Sequence, residues 1–174
     1  FDAMQTEAGR FAEATTLTEA GTALARTLTQ CGACHTTASA GPEIATPPLP
    51  EGDTVAAHMR RHRWAADRMW EGLVTNDAER YQAGAAALRE ASLFEAEIEA
   101  EAQAEAPPEG GRAIPNLVRE RGDRAAGAPA PAERAVVYGR LLATCATCHR
   151  MLEVGDTVAA AEAAPDGLPT EAGE

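Results

Sequence analysis

Residues 3–38, AMQTEAGRFAEATTLTEAGTALARTLTQCGACHTTA, set the terms on which the rest of the chain is read. The stretch holds no proline and is rich in alanine, the best helix former, so it predicts one long helix. Leu17, Leu24 and Leu28 recur at spacings of seven and four, which makes them an expected buried stripe. Gly41-Pro42 and the run Thr46-Pro47-Pro48-Leu49-Pro50 then break the helix. The composition points the same way. Of 174 residues 45% are apolar but only 4% aromatic, and 41 are alanine, which favours closely packed helices over sheet. The fold expected is all-α, a helical bundle.

Further along, Asp53 and Thr54 form an N-cap pair for a second helix running to about residue 75. Its expected inner stripe is Val55, His58/Met59, His62, Ala66, Met69 and Leu73. Asn76-Asp77 marks a turn and opens a third helix over about 77–105. The end of that helix alternates Glu and Ala from Glu95 to Ala106 and reads as solvated. Pro107 to Gly111 is a loop, a short helix is expected near 115–126, and Ala128-Pro129-Ala130-Pro131 is another break. A last helix spans about 132–153, and the Pro/Gly/Glu-rich tail from Ala163 reads as loose.

The chain repeats itself. At a shift of 114, Glu19 falls on Glu133, Arg26 on Arg140 and Leu28 on Leu142, and Cys31, Cys34 and His35 fall on Cys145, Cys148 and His149. At a shift of 103, residues 52–57 reappear as 155–160. Only the first copy continues into histidines, His58 and His62.

Cys31-Gly32-Ala33-Cys34-His35 and Cys145-Ala146-Thr147-Cys148-His149 are both C-x-x-C-H, the pattern of c-type haem attachment. Two cysteines three positions apart lie about one helical turn apart. They can form thioethers to the two vinyl groups on one porphyrin edge. The histidine that follows faces the iron from the same side. The two motifs use every cysteine in the chain. A zinc site of four cysteines usually has its pairs about 15–20 residues apart, whereas over a hundred separate them here. A thioredoxin-like pair needs a strand–helix setting, and neither rival explains a histidine after both pairs. Two haem c groups are therefore expected, with thioethers at Cys31, Cys34, Cys145 and Cys148 and proximal iron ligands His35 and His149. Two haems would also fill a core short of large side chains. The organisation expected is a first haem-binding half over 1–76, a second over 77–162 and a flexible tail over 163–174.

The second axial ligand decides function: a strong one makes an electron carrier, an open position binds small molecules. His58 and His62 are the two remaining histidines and lie one turn apart on one helix face. That is too close to bracket one iron. The expectation is that each serves a different haem, which would hold the two irons close together. Met59 and Met69 are alternative ligands. Arg60, Arg61, Arg63 and Arg68 suit haem propionates or, equally, a solvated face balancing nearby Glu. Trp64 and Trp70 are expected to pack on haem or on neighbouring helices.

At these residues the chain resembles a family of helical, di-haem, exported c-type cytochromes. The resemblance rests on Leu24-x3-Leu28-x2-Cys31-Gly32-Ala33-Cys34-His35, on the segment from His58 to Leu73, and on Tyr138-Gly139-x-Leu141-Leu142-Ala143-Thr144-Cys145. It covers most of 12–92 and 133–150. It implies electron transfer, and it implies an earlier helix with a Met-x-x-His segment, absent from this chain, that could supply a ligand to one haem.

The net charge of −12, with fifteen arginines and no lysine, argues against a nucleic-acid partner, because binding phosphate needs a basic face. It suits other redox proteins that present a basic docking face, in pairs or in a larger assembly. No run approaches the roughly 20 apolar residues of a membrane span. The chain begins at Phe1, so a mature or trimmed form is expected, and c-type attachment implies a periplasmic or other extracytoplasmic location. A one-electron carrier or relay is the leading function. The alternative is a peroxidase-like enzyme or gas-binding protein with one open haem.

Overall fold

A computed structural model describes residues 2–52, 54–90 and 114–151, without the side chains of Val55, Ile114 and Pro115. Six helices follow one another: α1 (Asp2–Glu13), α2 (Leu17–Ala38), α3 (Val55–Thr75), α4 (Ala78–Glu90), α5 (Ile114–Ala126) and α6 (Pro131–Met151). Among the described residues every regular element is helical, as expected of an all-α chain.

The single helix expected over 3–38 is instead two. Thr16 is extended (φ −126°, ψ 153°), and its side chain accepts from the Glu19 amide at 3.1 Å. The Glu19 carboxylate accepts in turn from the amides of Thr15 and Thr16, both at 3.0 Å. This capping box satisfies the amides that a helix start leaves open, and it outweighs the helix propensity of the flanking alanines. The same hydrogen bonds, led by the Thr15 amide, hold the Glu19 carboxyl below its usual range.

The α3–α4 hairpin follows the sequence closely. The Thr54 side chain accepts from the Ala57 amide at 3.2 Å, and Asn76 closes α3 in the left-handed region at φ 56°. Asp77 Oδ1 accepts from the Arg80 amide at 3.0 Å and starts α4. The expected extension of this helix to 105, the Glu/Ala alternation, the loop at 107–111, the second copy at 155–160 and the tail lie outside the described residues. Pro131 opens α6, where its missing N–H is no loss.

The core is thin. Ala25, Ala65, Ala85 and Ala135 are fully buried, and among the described residues the largest sealed side chains are Tyr81, Met69, Leu88 and Leu141. The leucine stripe expected on α2 is a correction: Leu28 is buried, but Leu17 and Leu24 are 41% and 42% exposed. The buried face is Gly21, Ala25, Leu28 and Gly32. Small residues win because α2 meets α6 backbone to backbone. A Cβ at Gly21 would sit 2.5 Å from the Gly139 carbonyl oxygen, and one at Gly139 would sit 2.5 Å from the Thr22 backbone. Larger side chains are left outside that crossing.

The direction of the two crossing helices follows from three contacts. Gly32 of α2 packs on the backbone of Leu73 and Asn76, at the end of α3. Gly72 packs on Tyr81 there, and the Tyr81 hydroxyl donates to the Arg134 carbonyl at 3.0 Å. The end of α2 and the start of α6 therefore share one level of the bundle, and α6 packs back along α3 and α2. The two motif-bearing helices are antiparallel.

Candidate functional site

Because α2 and α6 are antiparallel, the two C-x-x-C-H motifs lie at opposite ends of the bundle. His35 is fourteen residues past the Gly21–Gly139 crossing and His149 ten residues past it in the other direction. At about 1.5 Å per helical residue the two histidines are on the order of 30 Å apart. The two motifs that were expected to hold neighbouring cofactors therefore stand far apart.

The first motif occupies the last turns of α2. Cys31 is half-buried, Cys34 exposed and His35 half-buried. Gly32 is required by position, because a Cβ there would collide with the Leu73 carbonyl. That contact seats the motif against the end of α3, where His35 Nδ1 lies 2.9 Å from the Val74 carbonyl oxygen. A carbonyl only accepts, so Nδ1 carries the proton and Nε2 keeps its lone pair, a tautomer assigned from the partner. The Asn76 side chain adds a 3.4 Å hydrogen bond to Thr36 Oγ1.

At the second motif Cys145 and Cys148 are half-buried and pack on the core, as do Trp64, Leu142 and Met151. Burial pushes the Cys145 thiol up to about 11, helped by Cys148, and burial raises Cys148 as well. A dithiol redox pair needs a lowered thiol pKa, so this environment speaks against a thioredoxin-like role. All four cysteines are unbridged. Among the described residues no three of His, Cys, Asp and Glu converge on a point, so the four thiols do not form one zinc site.

His149 is exposed, and α3 brings His62 to this end. Counted from the level shared by Leu73 and Arg134, α6 climbs fifteen residues to His149 and α3 runs back eleven to His62, about 22 and 17 Å respectively. His62 Nε2 is buried with no hydrogen-bond partner. Its pKa is lowered to about 4, first by burial and then by the neighbouring charges of His58, Arg61 and His149. The ring is therefore neutral at pH 7, the form that ligates a metal. His58 and Met59, one turn earlier, are half-buried.

The two histidines expected to serve different haems, His58 and His62, are placed by α3 toward the same end of the bundle. His62 lies twelve residues before Val74, about 18 Å along the α3 axis from where His35 is held, and His58 lies further still. Both belong to the second end. Met69 is fully buried against α4, where its backbone and side chain pack on Gly84.

The arginines divide among structural roles. Arg61 donates to the Gly52 carbonyl at 2.6 Å, and Arg63 is exposed 3.9 Å from Asp67. Arg68 is buried, pairs with Glu71, and lies 5.4 Å over the Trp64 ring. Two of its guanidinium nitrogens, Nε and Nη1, have no partner. Arg80 reaches Glu71 at 2.8 Å and also ties down Ile44 and Thr46. Trp64 Nε1 donates to the Pro47 carbonyl at 2.9 Å, whereas Trp70 is 41% exposed. A cleft of about 330 Å³ lined by Leu49, Gly52, Arg61 and Ala87 includes no motif residue. It contributes nothing to this chemistry.

Sequence reasoning missed the Val74 carbonyl, since any residue supplies one. It also missed the role of Gly32, although Gly against Ala at the same position of the two motifs was a signal. Comparison with protein-family models, with curated proteins and with solved structures gave no match.

Proposed function

We propose that the chain is a di-haem c-type cytochrome that passes single electrons between redox partners outside the cytoplasm. The observation that carries this reading is two unbridged cysteine pairs, each followed within the last turns of its helix by a histidine. The donor chemistry suits haem at both ends. The Nδ1 proton of His35 goes to Val74, which frees Nε2 for iron, and a histidine ligand oriented through its other nitrogen is the usual arrangement at metal centres. His62 Nε2 is buried without a hydrogen-bond partner, and an iron at the second motif would give it one.

When bound, each haem supplies a one-electron iron couple. The rest is done by residues of the chain. Cys31 and Cys34, and Cys145 and Cys148, would tether the two haems, and His35 and His149 would each offer a ring nitrogen to the iron. The Val74 carbonyl fixes the ring orientation of His35 and raises its basicity. Trp64, Leu142 and Met151 exclude water beside the second motif and so tune its potential. A surface of net charge −12 steers the protein to a basic docking face on another redox protein, alone or in a larger assembly. Among the described residues no helix is long and apolar enough to cross a membrane.

The test is extraction. Acid–acetone should leave the colour with the protein, because thioethers survive it, and the pyridine haemochrome should give two haems per chain. Colour lost to the acetone, or a zinc-containing colourless protein, refutes the reading.

A further inference from the structure

We infer that the two attachment sites differ in ligation. His62 stands opposite His149 at the second motif. No histidine of these 174 residues reaches the far side of an iron held by His35, and that position is left to a small ligand of ferrous haem such as carbon monoxide. The inference rests on the haem reading above and concerns which residues of the chain can complete each iron.

The chain holds four histidines, and two follow the cysteine pairs. His58 and His62 remain, both in the first half of α3. His35 is pinned by its 2.9 Å hydrogen bond to Val74, in the last turn of the same helix. An α-helix is stiff, and twelve residues of it separate His62 from that point by about 18 Å. Two imidazoles that share one iron are only a few ångströms apart, so α3 cannot serve the first motif with either histidine. The antiparallel run of α6 brings His149 to the half of α3 that carries them. The orphaned Nε2 of His62 is at that end.

Methionine is the other strong neutral ligand, and the chain has four. Met69 is fully buried against α4. Met59 adjoins His58, and Met151 closes α6 at the second end. Met4 remains, on α1, which packs along α2. There is no lysine, and every cysteine is committed to a thioether. The first motif is also the more open of the two, with Cys34 exposed, whereas Cys145 and Cys148 pack on the core. The first motif thus lacks a histidine from α3 and has the more exposed thiols, and the carbon monoxide stoichiometry and the Met4→Ala comparison test whether its iron is open.

The experiment uses the 174-residue holoprotein with two haems per chain. Electron paramagnetic resonance of the oxidised protein should show one high-spin and one low-spin haem in equal amounts. The dithionite-reduced protein should bind one carbon monoxide per chain. The double variant Cys31→Ala/Cys34→Ala should lose the high-spin signal and the carbon monoxide binding together. His62→Ala should raise the uptake to two per chain. The inference is overturned if both haems are low-spin and refuse carbon monoxide. It is equally overturned if Met4→Ala is needed to open the first haem, or if Cys145→Ala/Cys148→Ala removes the binding instead. A pyridine haemochrome count below two per chain strikes at the haem reading itself and is read separately.

Discussion

The two ends of the bundle carry the same five-residue motif in opposite settings. At the first end the histidine is held and the thiols are open: His35 is tied to Val74, Gly32 is clamped on Leu73, and Cys34 is exposed. At the second end the thiols are covered and the histidine is open. Cys145 and Cys148 pack on the core, His149 is exposed, and α3 brings His62, its Nε2 buried and without a hydrogen-bond partner, to the same end. A duplicated motif therefore does not make duplicated sites. What surrounds it is set by the helix it meets, and one helix, α3, meets the two copies at its two ends. An internal repeat in sequence says little about what packs around each copy.

The largest effect expected at the first end comes from the charges that hold its loop. Glu71 is 5% exposed and serves both Arg68 and Arg80, and Arg80 anchors residues 44–46. Glu71→Ala leaves the buried Arg68 without its carboxylate and Arg80 with Asp77 alone, at 3.6 Å, and should cost about 3–5 kcal/mol in urea unfolding. A loss under about 1 kcal/mol would mean that the pair is relaxed in solution, as exposed pairs are.

The second end is tested by pH. In the chain without any bound group, His62 has its pKa lowered to about 4 from an ordinary value of 6.5. The unfolded chain then binds more protons than the folded one between those values. Stability is full above about pH 6.5 and falls as pH drops towards 4, by on the order of 3 kcal/mol. His62→Leu should flatten that part of the curve. A slope unchanged by the substitution would place His62 in contact with water.

Matched substitutions in the two motifs sharpen the contrast. Gly32→Ala pushes a methyl into the Leu73 carbonyl and should cost about 1–3 kcal/mol. Ala146, at the same motif position, is exposed. Ala146→Gly should cost no more than about 1 kcal/mol, the usual penalty of glycine inside a helix. Equal costs at both positions would contradict the different packing of the two ends. The smallest effect belongs to a residue distant from both motifs: Thr16→Ala removes one capping bond and should cost about 1 kcal/mol in thermal unfolding.

The all-α class, the bounds of α3 and the α3–α4 turn were legible because capping signals and breakers stand at every boundary there. Thr54, Asn76 and Asp77 do in the structure what their residue types suggest. The capping box at Thr16–Glu19 was equally visible but lost to the weight of alanine around it. The exposed leucines of α2 were misread because a helical stripe gives no sign of whether glycine or leucine faces the partner. That depends on how closely the partner comes, and the approach is set by Gly139, over a hundred residues away. The cysteines and the motif histidines came from local spacing, which chemistry fixes. The separation of the two motifs came from the antiparallel packing of α2 and α6, which no local pattern encodes.

The account stands on covalent haem at both ends, and the intact mass of the protein matured outside the cytoplasm measures it most directly. The mass should exceed that of the polypeptide by two haem groups, and by one in each of the variants Cys31→Ala/Cys34→Ala and Cys145→Ala/Cys148→Ala. A mass equal to the bare polypeptide, or one that neither pair of substitutions alters, would contradict it.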